Sequence, residues 1–226
     1  MLKIIFIFIF INLSSSLFAH TSHYKTLKKI EMEIFKDDKL IGYNYYFFTT
    51  DGDVVTVKSQ LQFKVNLFGV EVLNVENYGV EKYKKNKLFS YQSKTLQNDK
   101  KKFVDLFYDS DKNKFNIRGS SYIGLAETDS IIGNWWNHQI LQVNSQISPV
   151  SGSIKSQVVT FLGKEKIEHY GKTIDVDHFR LTSKNMSISK DKRLDFDIWY
   201  DNKNALIMKV SYSRMGNWEY RLKNYE

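Results

Sequence analysis

Val55-Thr56-Val57-Lys58-Ser59-Gln60-Leu61-Gln62-Phe63-Lys64-Val65-Asn66-Leu67 decides the fold class. Its odd positions are apolar except for Ser59, and its even positions are all polar. A period of two puts one set against a core and the other in water, whereas a helix would spread the same apolar groups around its circumference. The stretch is therefore a half-buried β-strand.

Shorter versions of the pattern lie on either side. Ile30, Met32 and Ile34 alternate with glutamates, Leu194 to Tyr200 alternate with Asp195, Asp197 and Trp199, and Leu206 to Tyr212 repeat the theme. Phe103–Tyr108 and Lys114–Arg118 read as two arms of a hairpin. Asp37-Asp38, Asp51-Gly52-Asp53, Lys85-Asn86, Asn98-Asp99, Gly171-Lys172 and Gly216-Asn217 separate the runs, and such residues supply the positive φ of tight hairpins. Short strands with regular turn signals predict a mainly all-β fold, an antiparallel meander curved into a roll or half-barrel.

One segment departs from this period. Over residues 129–142, Ile131, Ile132, Trp135, Trp136, Ile140 and Leu141 recur at helix-like spacing, with Asp129 or Ser130 as a cap and Gly133 as a weak point. The expectation is one short helix or folded loop lying across the sheet.

The N-terminus carries a separate signal. Met1-Leu2-Lys3 is basic, Ile4–Leu13 is apolar, and Leu17-Phe18-Ala19 offers a small residue for cleavage, the order of a secretory signal peptide. The apolar run is about half the roughly twenty residues that a spanning helix needs. The chain thus divides into a signal peptide (1–19), a flexible tail (20–28) and a single β-rich domain (29–226). The expected location is the periplasm, with no transmembrane segment after cleavage. There is no cysteine, which excludes disulfides and thiolate chemistry. The formal charge is +8, in lysine clusters beside turn residues, where cations guard sheet edges or meet anionic envelope surfaces. Nucleic acid is not an expected partner of an exported chain.

Several blocks recur in a known order: Phe35-Lys36-Asp37-Asp38-Lys39-Leu40-Ile41-Gly42, then Phe63–Val70 with Glu81 and Lys87-Leu88. Asn134-Trp135-Trp136-Asn137 follows, with Ile140-Leu141 and Gly152, and then Phe179-Arg180-Leu181 and Ile198-Trp199-Tyr200-Asp201. This arrangement resembles the exported bacterial family known as domain of unknown function 6134, over about residues 30 to 222. The resemblance implies an envelope location and a β-rich domain. It brings no activity, cofactor or catalytic residue.

Candidate sites follow from unusual side chains. Adjacent Trp135 and Trp136 cannot both face one core from a regular element, so one lines a cleft or partner surface, or the loop plugs the open end of the roll. His138 and Tyr122 are candidate companions for ligand binding. Asp195 and Asp197 share a strand face about 7 Å apart, either as paired acids or as solvated charges near Lys190, Lys192 and Arg193. Asp201 reads as a turn residue, and His169 and His178 as strand residues. Cleavage after Ala19 would leave His20 at a new N-terminus, where its amine and imidazole, with His23, could bind copper in the manner of a histidine brace. No H-E-x-x-H, G-x-S-x-G or phosphate-loop motif is present. The sequence thus predicts a non-enzymatic periplasmic protein without a cofactor, binding a lipid or other apolar ligand or an envelope protein. The alternatives are a structural or assembly factor acting by protein contact, and an envelope hydrolase or metal-binding protein.

Overall fold

The computed structural model describes residues 23–226. A 3-10 turn at His23–Thr26 leads into β1 (Lys29–Lys36), β2 (Lys39–Asp51), β3 (Val54–Leu67), β4 (Val70–Lys84) and β5 (Lys87–Gln97). β6 (Lys100–Asp109), β7 (Lys114–Gly119), β8 (Ile123–Glu127), β9 (Ile131–Ile132) and β10 (Ser145–Ile147) follow. β11 (Ile154–His169), β12 (Lys172–Ser183), β13 (Asp195–Asp201), β14 (Leu206–Ser213) and β15 (Asn217–Tyr225) complete the chain. Among the described residues there is no α-helix, and so no helix long and apolar enough to cross a membrane.

All fifteen strands belong to one sheet, in the order β8-β7-β6-β5-β4-β3-β2-β1-β15-β14-β13-β12-β11-β10-β9. Consecutive strands pair throughout except β8 with β9, and the first strand pairs with the last. Every pairing is antiparallel except β9 with β10. The edges β8 and β9 share no ladder, yet only residues 128–130 separate them in the chain. A connection this short spans at most about 14 Å, so it holds the edges near one another. The expected meander is therefore present, rolled almost to closure but left open.

The alternation in β3 appears as predicted: Val55, Val57 and Ser59 are buried, while Lys58, Gln62 and Lys64 are exposed. Burial then fades along the same face, because Leu61, Phe63 and Val65 are only half buried and Leu67 is exposed. Leu61 and Phe63 line the interior of the roll at its open end. The hairpin turns use positive φ as read, with Asp37 and Asp38 at 48° and 61° and Lys85 and Asn86 at 48° and 67°. At Gly42 on β2 the requirement is contact, not φ. A Cβ there would lie 2.1 Å from Gln62 O and 2.4 Å from the Cβ of Phe63, its cross-strand neighbour.

The main core gathers Ile30, Met32, Ile34, Tyr46, Val57, Trp136 and Val210, among others. A smaller one lies under β5–β10 and includes Tyr91, Leu106, Phe115 and Ile117. Tyr24, within the stretch read as a flexible tail, is buried in the main core, and Leu27 packs against it. Of the two expectations for residues 129–142, the folded loop is realised. Ile131 and Ile132 pair with β10, and helical backbone is confined to a 3-10 turn at His138–Leu141. Asn137 caps that turn, its Oδ1 accepting from Gln139 N at 3.1 Å. Ser130 does not cap; its hydroxyl bonds that of Ser145 at 2.6 Å. The helix is lost because Gly133 N donates to Ile147 O and Asn134 N to Ile132 O, which commits the backbone to β10 and a turn.

Gly42→Ala should lower stability by about 1–3 kcal/mol, the usual cost of forcing atoms into a packed contact. Urea denaturation measures this, and an unchanged midpoint would show that the β2–β3 approach is looser than described.

Candidate functional site

The interior of the roll is divided by the loop between β9 and β10, and one carboxylate fixes that loop. Glu81 belongs to the inward row Val75, Asn77, Gly79, Glu81 and Tyr83 of β4, all buried. Its Oε1 accepts from Asn134 Nδ2 at 2.5 Å and Trp136 Nε1 at 2.9 Å, and its Oε2 accepts from Tyr83 Oη at 2.5 Å. Burial raises the Glu81 pKa above its ordinary 4.5, outweighing the three hydrogen bonds that lower it.

Trp136 is buried, with its ring edge-on to Tyr24, Phe48 and Tyr83 at centroid distances of 5.1, 5.4 and 5.7 Å. His138 is buried in the same packing, stacked on Tyr200 and hydrogen-bonded through Nδ1 to the Tyr24 hydroxyl. Trp135 faces elsewhere. Its backbone N donates to Tyr46 Oη at 3.2 Å, and its ring meets Phe196 edge-on at 5.1 Å. The two tryptophans therefore serve different spaces, one the core and the other a cavity.

That cavity, about 460 Å³, lies between β2–β4 and β13–β15 at the open end of the roll. This falls within the usual ligand-site range of roughly 300–1,000 Å³. Trp135 forms part of its wall, with Leu61, Phe63, Val75 and Phe196 supplying apolar surface. Asn44, Tyr46, Ser59 and Asn77 add polar groups on the inner side. Asn44 Nδ2 donates to Tyr46 Oη at 2.7 Å, while its Oδ1 has no hydrogen-bond partner among the described residues. Burial raises the pKa of Tyr220 to about 12 and those of Tyr46 and Tyr212 further, so these phenols stay neutral. Lys190, Arg193, Arg214 and Asp195 stand at the mouth.

The other candidates are dispersed. Tyr122 is away from the cavity, its hydroxyl donating to Leu125 O at 2.7 Å. His20 lies outside the described residues, and His23 opens the first 3-10 turn. Among the described residues no group of three metal-ligating side chains occurs. Asp195 and Asp197 do share a face, but Arg180 bridges them, bonding Asp195 Oδ1 at 2.6 Å and Asp197 Oδ2. Their counter-ion comes from β12 across the sheet, not from nearby Lys190, Lys192 or Arg193. His178 extends this outer-face network, contacting Asp197 at 3.1 Å and Glu165 at 2.5 Å. Asp201 accepts from Lys203 N and Asn204 N in a turn, as read.

Sequence reasoning missed Asn44 and Tyr46, and it met Glu81 only as a member of a family block, without its role. The available signal was phase: Asn44 and Glu81 are polar residues at inward positions of alternating strands.

Glu81→Gln keeps an acceptor for Asn134 and Trp136 and removes the titration. A raised native pKa means that the wild type gains most, relative to the variant, below pH 4.5. That advantage should shrink as pH rises through the native value. Urea unfolding of both proteins across this pH range measures the difference, and a pH-independent difference would exclude burial as the controlling effect.

Comparison with known proteins adds fold and family. No curated protein matches the sequence. A crystal structure of a β-barrel-like protein of domain of unknown function DUF1849 from Brucella abortus superposes with a TM-score of 0.60. The match covers 88% of this chain and 97% of that one at 7% identity, a likeness of fold alone. The family model described as domain of unknown function (DUF6134) matches residues 32–223, nearly the whole described chain, and the chain belongs to that family.

Proposed function

We propose that this protein is a non-enzymatic, exported periplasmic protein that holds an apolar or amphiphilic ligand in the open half of its roll. The observation carrying this reading is the cavity of about 460 Å³ beside Trp135, with apolar walls and an accessible mouth. A few polar groups set in an apolar concavity are what ligand sites generally present. The amides, hydroxyls and neutral phenols of the inner wall suit holding a molecule by shape and hydrogen bonding. Charged groups stand at the mouth. The export signal read in residues 1–19 supports an envelope setting.

A second reading, contact with an envelope partner, is favoured by one observation. The β3–β4 hairpin ends in exposed Leu67, Phe68 and Val70, with Phe68 97% exposed. Isolated apolar residues at a surface are ordinary, but a cluster at a projecting tip is a contact candidate. A photo-crosslinker at position 68 should capture one discrete protein in cells under this reading, and only scattered products without it.

Native mass spectrometry after incubation with envelope lipid extract tests the first reading. A bound species of defined mass is expected, and Val75→Phe or Leu73→Trp, which narrow the cavity, should reduce its occupancy at least about fivefold. A persistently empty wild-type protein, or full occupancy in both narrowed variants, would overturn the carrier role.

A further inference from the structure

The cavity is layered, and the layers describe its ligand. Strand register gives the order. Phe63 and Val75 pair across β3 and β4, and two residues further in, Asn44, Leu61 and Asn77 form the next row. Successive inward residues on a strand are about 7 Å apart. The path inward from the mouth thus crosses an apolar row before it meets an amide row. Trp135 and Phe196, ring edge to ring face, line the same cavity from the opposite side.

The mouth is cationic. Lys190, Arg193 and Arg214 contribute to it, and among the described residues none of them makes an ion pair. Arg193 Nε donates to Ile188 O at 2.8 Å and Arg214 Nη2 to Arg193 O at 3.2 Å, so backbone carbonyls orient both guanidinium groups. Asp195, the acid at the mouth, is bonded to Arg180 at 2.6 Å. Exposed Asp191 is the other nearby acid, its carboxyl held low by the Ser189 hydroxyl and by the charges of Lys192 and Arg214. Positive charge at the mouth exceeds negative, and guanidinium groups favour carboxylate and phosphate oxygens.

The inner amide supplies an independent observation. Asn44 is 4% exposed and lines the cavity with one amide atom unpartnered. Turning the amide over would let the Tyr46 hydroxyl donate to its oxygen, leaving the NH2 group unpartnered instead. Either orientation presents a buried polar atom, and such an atom is costly unless it is satisfied.

We infer that the cavity takes an anionic amphiphile. Its carboxylate or phosphate sits among Lys190, Arg193 and Arg214, and its chain runs past Phe63 and Val75 to a hydroxyl or amide that meets Asn44. This rests on the carrier reading and adds the ligand's charge and polar spacing.

Calorimetric titration of the purified protein with decanoate, decyl phosphate, decanol, decyltrimethylammonium, ω-hydroxydecanoate and inorganic phosphate separates these features. Decanoate and decyl phosphate should bind about tenfold tighter than decanol or the cation, a difference within reach of a few charge-assisted contacts. ω-Hydroxydecanoate should bind several-fold tighter than decanoate, and Asn44→Val should abolish that preference. Neutralising the mouth as Lys190→Gln, Arg193→Gln and Arg214→Gln together should bring decanoate down to the affinity of decanol while leaving decanol unchanged. Equal binding of anionic, neutral and cationic chains would overturn the charge assignment and leave the carrier reading standing. Inorganic phosphate matching decyl phosphate would reduce the site to a bare anion site, and binding of none of the chains would overturn both readings.

Discussion

The buried Glu81 carboxylate is the constraint on which the interior depends. A fifteen-strand sheet rolled on itself encloses more space than its own inward side chains fill. The loop between β9 and β10 fills part of it, and two hydrogen bonds from its side chains to Glu81 hold the loop there. Burying a carboxylate is unfavourable unless its oxygens are well satisfied, and here both are. The side chains it binds come from Asn134 and Trp136 on the loop and from Tyr83 on its own strand. Loop and strand wall are thereby joined at one point, and the space beyond Trp135 stays open.

The roll solves its edge problem by proximity. Unpaired edges of a large sheet invite pairing with other chains. Here the exposed edges belong to short strands, five residues in β8 and two in β9, with three residues linking them. The pairing of β1 with β15 places the first and last strands in the middle of the sheet, so neither forms an edge. Edge strands this short offer few free backbone groups to a foreign strand.

The sheet was legible in the sequence because its determinants are local. Alternation in Val55–Leu67 and Ile30–Ile34, together with the turn residues, specifies strands whatever lies across the sheet. Residues 129–142 were less legible because the evidence was contradictory. Ile131 and Ile132 share helix-like spacing with later residues, but their backbone pairs with Gln146 and Ile147. The family blocks around Asn134-Trp135-Trp136-Asn137 marked the right segment without revealing Glu81, fifty-odd residues away, as its anchor. Nor could alternation show that inward Leu61 and Phe63 face a cavity while inward Val55 and Val57 face a core. That difference depends on how far the loop reaches, which is a tertiary property. Arg180 is a similar case, since it sits beside Asp195 and Asp197 only through the register of β12 with β13.

The pair Trp135-Trp136 joins core and cavity in one step of the chain. Trp135 and Trp136 occupy a turn between β9 and the 3-10 turn, and their side chains part there. Trp136 turns to Glu81 and the core, and Trp135 turns to Phe196 and the open space. The Tyr46 hydroxyl, accepting from Trp135 N and from Asn44 Nδ2, lies between the loop and the inner wall of the cavity. A molecule contacting Asn44 would thus touch a group that also helps to position the loop. A ligand that satisfied the Asn44 amide would therefore also fix the orientation of its bond to Tyr46. The same arrangement that stabilises the folded chain therefore sets the polar inner boundary of the cavity.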